Sequence, residues 1–319
     1  MKLAIVFPGQ GSQAVGMGAD WYAQYPDARD VFDAANARLS FSLSKLCFEG
    51  PEDELRLTAN TQPAILATSI AIWNSIREDL PAPSFVAGHS LGEYSALVAA
   101  GALNLGDALV LVRERGRLMQ EAVPVGQGAM AAVIGLDADS IETICQQVTA
   151  NVGVPVELAN FNSLEQVAVS GAADAVRTAM PLFTDAGAKR VVELPVSAPF
   201  HSSLMVPAAK GLRPLLAETA YAAPQYSVLA NLTGEPYPND PAQYQLILAA
   251  QIYNSVRWVQ TVQHFADSGV THLLEVGPGK VLRMLTAKIA PEIKASNIEK
   301  VEQLDGLREW LKEAELAGV

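Results

Sequence analysis

The feature that most constrains the fold is a five-residue motif, Gly88-His89-Ser90-Leu91-Gly92, which lies between an apolar run and a run of good helix formers. Residues 85–88 read as a short strand, and residues 91–100 read as a helix. A sharp turn between them needs small flanking residues, and the two glycines supply them. The motif predicts a strand, a tight turn and a helix, in which Ser90 is either a nucleophile or only a small turn residue.

The composition favours a globular chain with a large core. The chain has 319 residues, of which 50% are hydrophobic and 18% are charged, enough for one large domain or for a large domain carrying a smaller one. The longest apolar runs, such as residues 64–73, are far shorter than the roughly 20 residues of a membrane-spanning helix. The N-terminal apolar run is also too short for a secretory signal, so we expect no membrane segment.

Charge and cysteine content exclude further classes. A net charge of −12 argues against nucleic-acid binding, which depends on Lys and Arg neutralising phosphates. Cys47 and Cys145 lie outside any CxxC pattern, so neither a disulfide framework nor a cysteine zinc site is expected. These features are typical of a cytoplasmic protein. No large apolar surface segment requires a partner, so a monomer is the expectation.

Strands and helices alternate along most of the chain, which predicts an α/β fold with a mostly parallel sheet. Residues 128–196 differ, because their patterns follow the order β-α-β-β-α-β of a ferredoxin-like unit. We therefore predict a large domain of residues 1–125 and 197–319 and an inserted small domain of residues 126–196. The two crossings between the domains leave a cleft, and clefts of this kind are frequent ligand sites.

The ends of the chain carry two further expectations. Residues 20–39 are expected to form a single amphipathic helix after the first strand. The last predicted strand covers residues 271–277, and an amphipathic helix is expected within residues 301–316.

A serine hydroxyl is a weak nucleophile without a base, and the chain has four histidines. His89 directly precedes Ser90 at the end of a strand, so its side chain should leave the backbone on the opposite side. His264 and His272 fit a solvated helix and the start of a strand. His201 lies in an irregular segment where the small domain returns to the large one, and it is therefore the predicted base; a packing or capping histidine is the alternative.

The group that orients the imidazole is undetermined by this reasoning. No Asp or Glu presents itself by spacing, and a backbone carbonyl is the other group that could hold the tautomer.

Arg115 lies on the apolar stripe of the helix predicted for residues 107–123. A guanidinium carried toward the interior is costly unless it is paired, and it suits a carboxylate. Two partners are open at this point: an internal one, with Glu93 as the candidate, and the carboxylate of a substrate. In the second case the acyl group carries a free carboxylate of its own.

A series of motifs in order from residue 3 to about residue 290 resembles the malonyl-CoA:acyl carrier protein transacylases, the malonyltransferases of bacterial type II fatty-acid synthesis. These motifs are VFPGQGSQ, TQPAIL, GHSLGEYSAL, RGRLMQ, GAMAAVIGL, NFNS, PFHSSLM, QIYNSVRW and EVGPGKVL. The resemblance implies a hydrolase-like α/β core with a ferredoxin-like insert. It also implies a ping-pong reaction without metal or cofactor, in which Ser90 accepts malonyl from malonyl-CoA and passes it to the phosphopantetheine thiol of acyl carrier protein.

The resemblance further implies roles for individual residues. His201 matches the base, and Arg115 matches the arginine that pairs with the malonyl carboxylate. The backbone N–H groups of Gln10 and Leu91 match the oxyanion hole, and the backbone carbonyl of Gln251 matches the group that orients the histidine. The expected pocket residues are Gln62, Met119, Asn162 and Phe200.

Phe200 resembles the aromatic residue of malonyl-selective acyltransferase domains, which favours malonyl over methylmalonyl. Acyl carrier proteins of this family are acidic, as is this chain, so docking requires a local basic patch. The candidate patch flanks the predicted cleft, with ordinary solvated cations as the alternative, and consists of Lys189, Arg190, Lys280, Arg283 and Lys288.

Two other functions compete with malonyl transfer. A serine esterase or thioesterase would share the serine and the base but would leave Arg115 and the inserted domain without a role. A catalytically idle carrier-binding module would not require Ser90 and His201.

Overall fold

The computed structural model describes residues 1–196 and 198–316, so the predicted domain boundary at residue 197 and the last three residues lie outside the described part. The strands of the described part are β1 (Leu3–Phe7), β2 (Phe85–Gly88), β3 (Gly128–Ile134), β4 (Val156–Ser163), β5 (Gln166–Ala172), β6 (Arg190–Glu193), β7 (Ser227–Val228), β8 (His272–Val276) and β9 (Lys294–Ile298).

Helices cover most of the remaining chain. They are α1 (Ala19–Gln24), α2 (Pro26–Leu39), α3 (Leu43–Glu49), α4 (Glu52–Leu55), α5 (Thr58–Ile76), α6 (Gly92–Ala99), α7 (Leu105–Glu121), α8 (Ala138–Val152), α9 (Ala173–Asp185), α10 (Val206–Glu218), α11 (Tyr244–Gln251), α12 (Trp258–Asp267), α13 (Val281–Ile289) and α14 (Leu304–Leu316). Among residues 1–196 and 198–316, no helix is both long and apolar enough to cross a membrane.

The larger sheet is parallel throughout, with the strand order β7-β2-β1-β8-β9. Strand β1 lies at its centre because every one of its residues is apolar and buried. Ile5 and Phe7 point into one hydrophobic core, whereas Ala4 and Val6 point into the core on the other face. Because β1 and β2 are parallel neighbours, their carboxyl ends lie side by side at the same end of the sheet. Ligands bind at this end in open parallel sheets.

The second sheet is antiparallel, with the strand order β4-β5-β3-β6. Its elements follow one another as β3-α8-β4-β5-α9-β6, which is the order that the sequence predicts for this part of the chain. Helices α8 and α9 cover one face with their own small core. Met130 and Ala168 lie on the other face and belong to the core of the larger unit.

Strand β4 is hydrogen-bonded to the segment that precedes α12. The N–H of Phe161 donates to the carbonyl of Val256 at 2.9 Å, and the N–H of Val256 donates to the carbonyl of Ala159 at 2.9 Å. Asn162 of β4 in turn lies beside the end of β2, since its Oδ1 is 2.9 Å from the Nε2 of His89. The cleft between the two sheets is therefore defined by backbone hydrogen bonds as well as by packing.

Two sequence expectations about the chain ends are wrong. The single helix expected over residues 20–39 is broken at Tyr25, which is extended with φ −116° and ψ 124°. The cause is Pro26, since proline lacks an N–H and disfavours the helical conformation in the residue before it. Strand β9 was not expected, because its segment KASNI is largely polar and only Ile298 is fully buried.

Candidate active site

Ser90 lies at the strand-to-helix turn that the glycine motif predicts. It follows β2 by two residues, precedes α6 by two residues and has a φ of 53°, which is rare for a residue other than glycine. A Cβ atom at Gly92 would lie 2.1 Å from the carbonyl oxygen of Phe7, so only glycine fits where the helix starts against β1. The turn holds the serine hydroxyl out toward the cleft, in the arrangement of a nucleophile elbow.

Asn231 braces this turn and was not found from the sequence. Its Oδ1 accepts a hydrogen bond from the Ser90 N–H at 2.6 Å, and its Nδ2 donates to the Gly88 carbonyl at 2.7 Å. The residue is fully buried. The sequence offers no signal for this contact, because Asn231 simply ends the apolar segment that contains β7, the neighbour of β2 in the sheet.

His201 contacts the serine as predicted from its position in the chain. Its Nε2 lies 2.7 Å from the Ser90 Oγ, and its Nδ1 lies 2.9 Å from the Gln251 carbonyl and 3.2 Å from the Asn254 carbonyl. Carbonyl oxygens only accept hydrogen bonds, so Nδ1 carries the proton and Nε2 is free to accept the serine proton. The Asn254 carbonyl is a second orienting group that the sequence analysis did not identify.

The environment keeps His201 neutral. Burial and, secondarily, the positive charge of Arg115 lower the pKa of His201 to about 3. A neutral imidazole with an unprotonated Nε2 is the form that can remove a proton from Ser90.

The other histidines have different partners. The Nε2 of His89 lies 2.9 Å from the Oδ1 of Asn162, and burial lowers the pKa of His89. His264 pairs with Glu235 on the surface of α12, at 3.0 Å. His272 is buried at the start of β8. None of the three hydrogen bonds to Ser90 within the described part of the chain.

Arg115 is only 1% exposed, and its guanidinium reaches Ser90. Its Nη2 donates to the Ser90 Oγ at 3.1 Å and to the Gln251 Oε1 at 2.9 Å, and its Nη1 donates to the Gln62 Oε1 at 2.8 Å. No described carboxylate lies within ion-pair distance, so the direct pair with Glu93 does not form. The buried Nε–H has no hydrogen-bond partner among the described residues.

Two backbone N–H groups are free to stabilise an oxyanion. Those of Gln10 and Leu91 donate to no described residue, and Leu91 directly follows Ser90. The loop that carries Gln10 packs against the turn, since a Cβ atom at Gly9 would lie 2.4 Å from the His89 carbonyl oxygen. The assignment of these two N–H groups to an oxyanion hole stays a prediction, with which their unpaired state and their position beside Ser90 are compatible.

A cleft of about 360 Å³ opens between the two sheets above Ser90. Among the predicted site residues, those that line it are Gln10, Ser90, Arg115, Met119, Asn162, Phe200 and His201. Gln62, Leu91 and Gln251 do not line it. Gln62 and Gln251 instead lie behind the guanidinium of Arg115, which they hold by hydrogen bonds.

Three of the five basic residues of the predicted patch lie together on or beside α13. Lys280, Arg283 and Lys288 are exposed, and Lys288 lines the cleft. Arg283 also donates to the side chain of Asn297 at 2.9 Å. Lys189 is exposed as well but forms an ion pair with Glu165 at 3.3 Å.

The fold and the comparisons with known proteins together define the chain as an acyltransferase. The family model described as "Acyl transferase domain" matches residues 4–308, so the chain belongs to that family. It is 44% identical to the malonyl CoA-acyl carrier protein transacylase of Bacillus subtilis (strain 168) over 98% of each chain. It is 46% identical to that of Escherichia coli (strain K12), over 94% of this chain and 96% of the relative. The chain therefore belongs to the malonyl CoA-acyl carrier protein transacylase family, which confirms the resemblance.

Solved structures show the same similarity. An acyl carrier protein S-malonyltransferase from Vibrio cholerae matches with a TM-score of 0.92 and 45% identity, over 96% of this chain and 100% of that one. A malonyl-transacylase in complex with its type II polyketide-synthase acyl-carrier protein matches with a TM-score of 0.92 and 44% identity, over 95% and 98% of the two chains.

Proposed function

We propose that this protein transfers a malonyl group from malonyl-CoA to the phosphopantetheine thiol of acyl carrier protein, supplying extender units for fatty-acid biosynthesis. The observation that carries the proposal is the convergence of two groups on one hydroxyl: the neutral His201 imidazole at 2.7 Å and the Arg115 guanidinium at 3.1 Å from the Ser90 Oγ. The imidazole activates the serine, and the guanidinium binds an acyl group that carries a carboxylate.

In the first half-reaction, the Ser90 Oγ attacks the thioester carbonyl while its proton passes to the His201 Nε2. The N–H groups of Gln10 and Leu91 stabilise the tetrahedral oxyanion, a contribution that is typically worth about a hundredfold or more in rate. Collapse of this intermediate breaks the C–S bond, and the departing thiolate of coenzyme A takes the proton from His201. The product is a malonyl ester of Ser90.

In the second half-reaction, the pantetheine thiol gives its proton to His201 and attacks the ester carbonyl. The C–O bond to Ser90 breaks, and the serine oxygen recovers the proton from His201. The two half-reactions balance without a metal or a cofactor bound to the protein, because both thiols belong to the substrates. The catalytic pair in this proposal is Ser90 and His201, with the Gln251 carbonyl orienting the imidazole.

Arg115 is the proposed carboxylate site for malonyl. Arg115 lines the cleft, and its Nη2 lies 3.1 Å from the Ser90 Oγ, so its guanidinium is within reach of a carboxylate on an acyl group that Ser90 carries. Met119, Asn162 and Phe200 line the cleft beside it and limit the size of the acyl group. Gln62 acts indirectly, through its hydrogen bond to Arg115.

We propose that the parallel sheet with its elbow is a hydrolase-like core and that the antiparallel sheet is a ferredoxin-like insert. The element order β3-α8-β4-β5-α9-β6 and the strand order β4-β5-β3-β6 support the second assignment. The domain limits remain those predicted from the sequence, at residues 126 and 196.

We propose that a cytoplasmic, monomeric form of this protein receives acyl carrier protein at the mouth of the cleft. The exposed cations of α13 provide local positive charge on an acidic chain. Reversing two of them, with Lys280→Glu and Arg283→Glu, is expected to raise the KM for the carrier at least severalfold. Arg56→Glu with Arg77→Glu changes the net charge equally and serves as the control; equal effects of the two pairs would dismiss the patch.

A hydrolytic serine enzyme is the competing function, and one assay separates the two. The protein is incubated with radiolabelled malonyl-CoA, the acyl-enzyme is isolated, and carrier protein or buffer is added. Transfer of the label to the carrier supports the proposal, and rapid release of free malonate in buffer supports hydrolysis. Ser90→Ala should form no labelled adduct, whereas labelling of this variant would remove Ser90 from the mechanism.

A further inference from the structure

The side chain of Gln251 lies between a buried cation and a buried carboxylate. Its Oε1 accepts from the Arg115 Nη2 at 2.9 Å, and its Nε2 donates to the Glu93 Oε2 at 2.9 Å. The same Nε2 donates to the Ser90 carbonyl at 2.8 Å. Gln251, Arg115 and Glu93 are each no more than 1% exposed. The amide therefore connects the guanidinium to the acid that the sequence analysis considered as its direct partner.

The orientation of this amide is fixed by its neighbours. A rotation by 180° would turn the NH₂ group toward the Arg115 donor and the carbonyl toward two acceptors, Glu93 and the Ser90 carbonyl. All three hydrogen bonds would be replaced by contacts of like groups, which are costly in a buried site. The carbonyl end consequently always faces Arg115.

Glu93 is itself held in place from two other directions. Its Oε1 accepts from the hydroxyl of Tyr237, and its Oε2 also accepts from the Asn231 N–H at 3.3 Å. Three donors converge on this carboxylate in a fully buried position. It therefore provides a rigid anchor for the Gln251 amide.

We propose that the side-chain amide of Gln251, anchored by Glu93, positions Arg115 for the acyl carboxylate and thereby sets the preference of the site for acidic acyl groups. This role is separate from that of the Gln251 backbone carbonyl, which contacts His201, and it rests on the proposed function. Gln62 holds the guanidinium at Nη1 only. Loss of the amide frees Nη2, the group that also contacts Ser90, and small displacements of positioning groups are costly in catalysis.

The test is Gln251→Met, which keeps the backbone carbonyl and the side-chain length but removes both amide hydrogen-bonding groups. The measurement is kcat/KM for acylation by malonyl-CoA and by acetyl-CoA, whose acyl group is uncharged. We expect acylation by malonyl-CoA to fall more than acylation by acetyl-CoA, so that the malonyl-to-acetyl ratio falls about tenfold or more, the usual effect of losing a hydrogen bond to a charged group. Gln245→Met, on the same helix and partly exposed, is the matched control and should leave the ratio unchanged.

An unchanged malonyl-to-acetyl ratio in Gln251→Met overturns the inference. If both activities fall equally, the amide acts only through the Ser90 turn. If this variant does not fold, Gln251→Glu is measured instead. Its carboxylate would compete with the malonyl carboxylate for the Arg115 guanidinium, so the malonyl-to-acetyl ratio should fall. A wild-type protein that forms no malonyl ester would contradict the proposed function itself and is recognised before any variant is compared.

Discussion

The two walls of the cleft differ in the chemistry of their side chains. The wall from the parallel-sheet unit contributes groups that ionise or exchange protons, among them Ser90, Arg115, His201 and Lys288. The described residues from the antiparallel unit contribute no charged group to the cleft and consist of Met130, Asn160, Asn162, Gln166, Ala168, Leu194 and Val196. One unit thus supplies the charged and nucleophilic side chains of the cleft, whereas the described residues of the other unit add only uncharged ones.

The difference follows from how each sheet meets the cleft. The parallel sheet presents the carboxyl end of β2 and its following turn, where backbone N–H groups and side chains converge. The antiparallel sheet presents a face of β4 and β5, whose side chains alternate between its own core and the cleft. Residues that face the cleft from such a surface pack like core residues and are therefore mostly uncharged.

The largest expected effect comes from removing the Arg115 guanidinium from the wall that the parallel-sheet unit forms. Arg115→Ala should lower kcat/KM for malonyl-CoA by about a hundredfold or more, since a buried charged contact to the substrate is lost. Acylation by acetyl-CoA should fall much less or rise. The measurement is the ratio of the two values in single-turnover acylation, and an unchanged malonyl preference would refute the carboxylate role of Arg115.

The next effect concerns the pH dependence of stability. It tests whether His201 is shielded from solvent in the folded protein. The pKa of His201 is about 3 in the folded protein and about 6.5 in the unfolded chain. Below pH 6.5 the unfolded chain binds a proton at His201 that the folded protein does not bind, so this residue destabilises the fold as the pH falls. His201→Gln removes that penalty and should gain about 2 kcal/mol relative to the wild type between pH 7.5 and pH 5.

Urea unfolding of both proteins at several pH values measures this difference. His272→Gln is the control, since it removes an imidazole that is buried outside the cleft. Parallel pH profiles for the wild type and His201→Gln would mean that His201 is solvated in the folded protein.

The brace at the Ser90 turn should have a smaller effect on the reaction. Asn231→Ala leaves the Ser90 N–H and the Gly88 carbonyl without the partners that hold the turn, and we expect kcat for acylation to fall about tenfold. Asn36→Ala removes a comparable pair of hydrogen bonds, to Ser44, far from the cleft. That control should lower stability alone, and the same result for Asn231→Ala would reduce Asn231 to a purely structural residue.

The sequence was most informative where a functional residue belongs to a short local pattern. The elbow could be predicted because strand, glycines and helix are contiguous, and Arg115 because helical periodicity places it on an apolar stripe. The resemblance assigns Gln62 and Gln251 to the site, but their side-chain hydrogen bonds to Arg115 could not be predicted, since they lie 53 and 136 residues away in the chain. The contact of Asn231 with Ser90 could not be predicted either, because the two residues are 141 positions apart in the chain.

The same distinction explains the errors in the fold. Strand β9 escaped prediction because it lies at the edge of the parallel sheet, where partial exposure allows a polar segment. The break before α2 was predictable in principle, because Pro26 carries the signal in its own chemistry.

The smallest expected effect concerns the wall that the antiparallel unit forms. It tests directly whether that wall takes no part in the reaction. Among the described residues, the Asn162 side chain hydrogen-bonds only to His89, at 2.9 Å, so Asn162→Ala should lower stability by about 1 kcal/mol through the unpaired imidazole. Acyl transfer should change less than about threefold. Asn160→Ala on the same strand also changes the wall but breaks no described side-chain hydrogen bond, and it should affect neither quantity. A tenfold loss of kcat in Asn162→Ala alone would mean that the antiparallel side also contributes to the reaction, directly or by positioning His89 beside Ser90.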